Sequence, residues 1–176
     1  AFHIACRNSS PEIARILMNH LCQINNQSNK TGQTGLHFAC DNGNIKIIQI
    51  ILEQPHLMAD IKDYVEFETP LHVAARRGFY EIVDLLLHNG FYINELAKCR
   101  MTPLHFACMY GNEKTVETLL HFDPENIEIN ATTQNQEDGV IDPKYGCNMT
   151  PLHFVCQYGS EDIVTLLMNH KQDNVH

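Results

Sequence analysis

Thr69-Pro70-Leu71-His72-Val73-Ala74-Ala75-Arg76-Arg77-Gly78 is the stretch whose reading decides the fold, because its opening returns along the chain. It recurs as Thr102-Pro103-Leu104-His105-Phe106-Ala107 and as Thr150-Pro151-Leu152-His153-Phe154-Val155. A near copy stands at Thr34-Gly35-Leu36-His37-Phe38-Ala39 and a shortened one at Phe2-His3-Ile4-Ala5. The histidines fall at 3, 37, 72, 105 and 153, with separations of 34, 35, 33 and 48. Three of the four lie close to one period, and a period of that size means a repeat array.

Each unit has a physical reading. Thr before Pro starts a helix: the hydroxyl accepts an orphan amide hydrogen bond, and Pro at the first helical position loses nothing by lacking its own N–H. The helix stops at a Gly six residues past the histidine (Gly43, Gly78, Gly111, Gly159), a place that Ser9 takes in the first unit. A second apolar helix follows, as in Ile47-Ile48 with Ile50-Ile51-Leu52, or Ile82-Val83 with Leu85-Leu86-Leu87. Neither helix is long enough to be stable alone, so neighbouring units must cover their apolar faces. The expected object is an all-α repeat solenoid.

The Thr-Pro-Leu-His-x-Ala start, the Gly, Glu81-Ile82-Val83, the leucine run, Gly90 and Ile93-Asn94 resemble the ankyrin consensus nearly position by position. The resemblance covers essentially the whole chain in five in-phase copies. It implies one ankyrin repeat domain over 1–176, with units near 1–28, 29–63, 64–96, 97–144 and 145–176. It further implies helix-turn-helix pairs joined by projecting β-hairpin fingers, motif histidines that hydrogen-bond between units, and another protein held by fingers and first helices. Asn25 and Asn94 match the junction asparagine that intracellular hydroxylases modify in similar proteins, although hydrogen bonds steadying the finger also account for them.

Several positions depart from the pattern. Gly35 stands where Pro is expected, and the finger glycine is replaced by Phe67, Arg100 and Asn148 in the last three units. Only Asn tolerates the left-handed conformation well, so two tips must turn differently or carry strain. The 48-residue spacing places an excess of 3 residues near Phe122-Asp123-Pro124-Glu125 and 12 in an enlarged finger at 131–147. Such an insertion is tolerated whether or not it binds anything. The first unit lacks Thr-Pro, and the last carries Ile163, Val164, Leu166, Leu167 and Met168 in the pattern of an internal repeat; both ends read as cut from a longer array.

Composition narrows the partners. The formal charge is −9, with the acidic residues scattered and Arg76-Arg77 the one tight basic pair, so neither nucleic acid nor a membrane is expected. An odd count of 7 cysteines at long spacings fits a reducing compartment, intracellular and cytoplasmic, better than a disulfide scaffold. No apolar run approaches the length of a membrane span.

Metal, cofactor and catalytic chemistry are not expected either. Motif histidines one repeat apart, roughly 10 Å, are too far from one another to share a zinc ion. Cys6, Cys40, Cys108 and Cys156 occupy the small-residue place where the third unit has Ala75, and read as packing. His20, His88, His121 and His170 fall near the ends of second helices, where the helix dipole favours them. Cys99 and Cys147 share a finger phase, too loosely in register to argue a bridge. No phosphate loop, Ser/His/Asp pattern or paired carboxylate is present, so the chain is read as a non-enzyme with no cofactor and no small-molecule substrate.

The expected function is a protein-interaction module that uses its concave face and fingers. The alternative is a rigid spacer or autoinhibitory segment of a larger channel, kinase or cytoskeletal adaptor. Mapping contacts by phase gives Thr31, Gln33, Asp41 and Asn42 in the second unit and Glu66, Glu68, Arg76 and Arg77 in the third. Lys98, Met101, Met109 and Tyr110 follow in the fourth, and Met149, Gln157 and Tyr158 in the fifth. Tyr and Met are frequent contact residues, which favours the C-terminal half as the anchor region.

Overall fold

The computed structural model describes residues 1–20, 23–134, 144–158 and 160–173. Its helices alternate between two rows. The inner row is α1 (Phe2–Arg7), α3 (Gly35–Asp41), α5 (Pro70–Arg77), α7 (Pro103–Met109) and α9 (Pro151–Tyr158). The outer row is α2 (Pro11–Asn19), α4 (Ile45–Leu52), α6 (Tyr80–His88), α8 (Glu113–Phe122) and α10 (Glu161–Asp173). Each inner helix packs on the next inner helix and on its own outer partner. The molecule is an all-α solenoid, the fold class expected from the repeat.

The sequence signals at the helix starts act as their chemistry dictates. Thr34, Thr69 and Thr102 each form a reciprocal cap with the histidine three residues on. Asn44 caps α4 by accepting the Ile47 N–H at 3.1 Å. Ser9, in the glycine's place after α1, adopts the same left-handed conformation as Gly78, with φ of 55° against 76°. Core side chains fill the seam between the rows: Leu36, Ile47, Ile51, Leu71, Ile82, Leu86, Leu104 and Leu119 are all buried.

The fingers are hairpin turns; among the described residues none lies in an extended strand. Ser28 N–H donates to Gln33 O at 2.8 Å, Asp63 N–H to Glu68 O at 2.9 Å, and Ala97 N–H to Met101 O at 2.8 Å. Adjacent fingers are then stitched by one main-chain bond each: Tyr64 N–H to Thr31 O at 2.8 Å, Lys98 N–H to Glu66 O at 2.8 Å, and Gln134 N–H to Cys99 O at 3.0 Å. Phe67 and Arg100 retain the left-handed turn without glycine, with φ of 54° and 60°, so of the two expected outcomes strain is the one adopted.

The middle of the enlarged finger, 135–143, lies outside the described residues. Its two limbs close through Thr133 N–H to Met149 O and Asn148 N–H to Thr133 O, both 2.9 Å. At the outer faces of the stack, Ile13 and Ile16 are exposed, as are His153 and Cys156, whose counterparts further inside are buried.

Candidate partner-binding surface

The motif histidines form a ladder through the stack. In the second unit Thr34 N–H donates to His37 Nδ1 at 3.1 Å, the Thr34 hydroxyl lies 2.8 Å from the same nitrogen, and His37 Nε2 lies 3.0 Å from Glu68 O of the next finger. His72 repeats this with Thr69, Glu95 O and Met101 O, and His105 with Thr102 and Met149 O. Because Nδ1 accepts a main-chain N–H, the proton sits on Nε2, which donates to the neighbouring unit. Burial pushes all three imidazoles below the ordinary histidine pKa, to about 3 for His72 and about 4 for His105. They are neutral crosslinks between units.

The remaining titratable groups divide in the same way. Burial raises the Cys40 and Cys108 thiols far above the range where thiolate forms, which makes them inert packing groups. Cys156 is exposed. Among the described residues no three His, Cys, Asp or Glu side chains group around a common point able to hold a metal ion. Asn25 and Asn94 act as matching crosslinks: Asn94 donates to Asn126 O at 2.7 Å and accepts Glu128 N–H at 3.0 Å, while Asn25 bonds His56 O and Met58 N–H in the same manner.

The phase-mapped contact residues separate into three groups. The first is polar or charged and already paired. Arg77 makes a two-pronged bond to Asp41, Nε to Oδ1 at 2.8 Å and Nη2 to Oδ2 at 3.0 Å, and Arg76 Nη2 lies 3.3 Å from Glu68 and 3.6 Å from Asp41. Glu66 receives Lys98 at 3.9 Å and Lys144 at 3.6 Å. Thr31 bonds Ser28 and Gln33 within its own finger, and Asn42 donates to Phe38 O and Arg7 O. Apart from Thr31, these groups tie one unit to the next.

The second group is corrected by burial. Met101 is 0% exposed and Glu68 3%, so neither is a surface contact. Met101 belongs to the apolar core between the units, and Glu68 is drawn under Arg76. Burial raises the Glu68 pKa, and Arg76 offsets part of that rise. The third group is open: Tyr110 (47% exposed), Tyr158 (52%) and Gln157, with Met109 and Met149 half-buried.

Sequence reasoning missed Tyr145. It stands in the returning limb of the enlarged finger, yet it is 1% exposed, edge-on to Phe106 at 6.2 Å, with its hydroxyl donating to Glu66 at 3.2 Å. Burial and the neighbouring Glu66 carboxylate raise its pKa. The limb therefore reaches from the fifth unit's finger back to the third's. Nothing in the repeat phase marks this residue, because the insertion has no counterpart in the other units. An exposed trio at the third finger tip, Tyr64, Val65 and Phe67, was likewise not assigned.

Comparison with known proteins agrees with this architecture. The profile described as "Ankyrin repeats (3 copies)" matches residues 1–64 and 55–133, and "Ankyrin repeat" matches 147–176. The chain belongs to the ankyrin-repeat family, whose repeats generally mediate protein–protein interaction and are typically non-catalytic. It is 34% identical over 123 residues to alpha-latrotoxin-Lh1a of Latrodectus hasselti, covering 68% of this chain and 9% of the toxin. It is 32% identical over 123 residues to transient receptor potential cation channel subfamily A member 1 of Homo sapiens, covering 67% of this chain and 10% of the channel. Similarity to E3 ubiquitin-protein ligase XBAT33 of Arabidopsis thaliana is 37% over 84 residues, 48% of this chain and 16% of the ligase. The chain thus spans about a tenth of the toxin and of the channel. Among the described residues no helix is long and apolar enough to cross a membrane.

Proposed function

We propose that this chain is a non-catalytic module that holds a partner protein along the open side of its inner helices and fingers, with Tyr110 and Tyr158 as anchors. Met109, Met149 and Gln157 complete the strip. Thr31, Gln33, Asp41, Asn42, Glu66, Arg76, Arg77 and Lys98 frame it as a rim whose charges are largely satisfied within the stack. The observation that carries this reading is the contrast in exposure: two tyrosines in one repeat phase stay open, while Arg77 of the same phase is paired with Asp41 of the unit before. Aromatic side chains of this kind commonly dominate interface energetics, whereas paired rim charges contribute little. Buried thiols at Cys40 and Cys108 suit a reducing, intracellular setting.

The test is calorimetry with a purified partner. Tyr110→Ala with Tyr158→Ala should weaken binding by about 2 kcal/mol or more, roughly thirtyfold, at unchanged melting temperature. Removal of 135–143, with Tyr145 retained, measures the contribution of the enlarged finger separately. Unchanged affinity in the tyrosine variant, with losses from substitutions on α6 or α8, would put the binding face on the opposite side. A spacer role within a longer chain is the second reading, supported by the small share of its relatives that this chain spans. It predicts that no partner responds to the tyrosine pair.

A further inference from the structure

The tip of the third finger shows apolar side chains to solvent. Tyr64, Val65 and Phe67 stand side by side at 57%, 55% and 52% exposure. Scattered apolar residues on a surface are ordinary, but three at one protruding tip are a patch. Phe67 also holds a φ of 54°, a conformation that strains any residue with a Cβ, where the equivalent position one unit earlier is Gly32 at 73°. A bulky ring is kept in a glycine's place and shown to solvent. It lacks the burial that would offset the strain.

The tip is also rigid. The Asp63 carboxylate, itself buried, accepts the main-chain N–H groups of Glu66 at 3.0 Å and of Val65 and Glu68 at 3.3 Å, all on one oxygen. Tyr64 lies flat on the preceding finger: a Cβ at Gly32 would meet its ring at 2.5 Å, and its hydroxyl donates to Gln27 at 3.2 Å. Glu66, between the exposed residues, is turned away to Lys98 and Tyr145. A tip fixed before binding loses little conformational entropy when it is captured.

Charge identifies the kind of surface that receives it. In a chain of net charge −9, the tips on either side carry Lys30 and Arg100, both exposed and without an ion-pair partner among the described residues. The fingers are stitched in order by the Tyr64–Thr31 and Lys98–Glu66 main-chain bonds, so the apolar trio has one cation beside it on each flank.

We infer that Val65 and Phe67, steadied by Tyr64, form a preorganised apolar knob that enters an apolar pocket on the partner protein, with carboxylates on the pocket rim meeting Lys30 and Arg100. This inference rests on the interaction reading above and names the partner's surface: a concavity lined by aliphatic or aromatic groups and edged by Asp or Glu.

Two measurements on the whole chain test it. In the first, Phe67→Gly should melt within a degree or two of the parent, since the strain relieved offsets the contacts of a half-exposed ring; a drop of several degrees would make Phe67 a folding residue and overturn the knob. In the second, 8-anilinonaphthalene-1-sulfonate, an apolar ring system bearing an anion, serves as the probe and is titrated by fluorescence. The paired change Val65→Ser with Phe67→Gly should weaken its binding at least fivefold, and Lys30→Glu with Arg100→Glu by a similar factor. Tyr92→Ser, at an exposed aromatic outside the tip, should leave it unchanged. If the tip variants bind the probe as the parent does, or if the parent does not bind it, the knob is wrong. Loss in Tyr110→Ala with Tyr158→Ala alone would overturn the knob while the concave strip stands. Loss only on substitution in α6 and α8 would remove both.

Discussion

Acidification from pH 7 to pH 5 should destabilise this stack through its histidine ladder. His72 and His105 have folded pKa values of about 3 and about 4, and that of His37 is also lowered, each mainly by burial. In the unfolded chain all three return to about 6.5. A group whose folded pKa is lowered keeps its full contribution above the unfolded value and loses it as pH falls from there toward the folded one. Below pH 6.5 the unfolded state takes up protons that the folded state refuses. Each pH unit in that window removes about 1.4 kcal/mol per histidine. Between pH 7 and 5, His72 and His105 together remove about 4 kcal/mol, a large share of the roughly 5–15 kcal/mol typical of a domain. His37 acts in the same direction. Glu68 acts oppositely: its folded pKa is raised, so its penalty fades as it protonates, which tempers the loss toward the lower end. The assay is urea unfolding followed by helical circular dichroism at several pH values from 7.5 to 5. His72→Gln should flatten the slope by roughly 1.4 kcal/mol per pH unit in the window. Stability that is flat or rises between pH 6.5 and 5 would refute the buried neutral ladder.

Other perturbations give independent checks. Thr115 is fully buried, its hydroxyl has no hydrogen-bond partner among the described residues, and Ile47, Ile82 and Ile163 fill the same phase, so Thr115→Val should stabilise by about 1 kcal/mol in urea unfolding. Leu86, at 0% exposure between units, should lose about 2–5 kcal/mol on change to Ala, and a loss under about 0.5 kcal/mol would contradict its placement. Tyr145→Phe keeps the ring against Phe106 but removes the hydroxyl's bonds to Glu66 and Lys144, so about 1–2 kcal/mol should be lost in urea unfolding, and less than that once Glu66 is already changed to Ala. Hydrogen exchange should be slowest over residues 70–120, where both neighbours of each helix are present, and faster in α2, where Ile13 and Ile16 are exposed; equal rates would mean that the stack opens as one unit.

What the sequence by itself determined is whatever repeats. The Thr-Pro starts, the stop six residues past each histidine and the outer-helix aliphatic runs set the two rows of helices and the histidine ladder, because their causes are local or recur one unit away. The phase also picked out Tyr110 and Tyr158 as open positions. Tertiary structure alone decided which other positions of that phase stay open. Met101 and Glu68 share a phase with the half-buried Gln33 and Met149 yet are fully buried, the one in the apolar core between units and the other under an arginine. The strain at Phe67 could be read as an alternative in the sequence, but only the backbone shows that the left-handed turn was kept. Tyr145 lay wholly outside sequence reach: its partner Glu66 is 79 residues away, and the path joining them runs through an insertion with no counterpart in the period. A repeat specifies contacts between neighbours; a contact that skips a unit depends on where an irregular loop returns, and that is settled by packing in three dimensions.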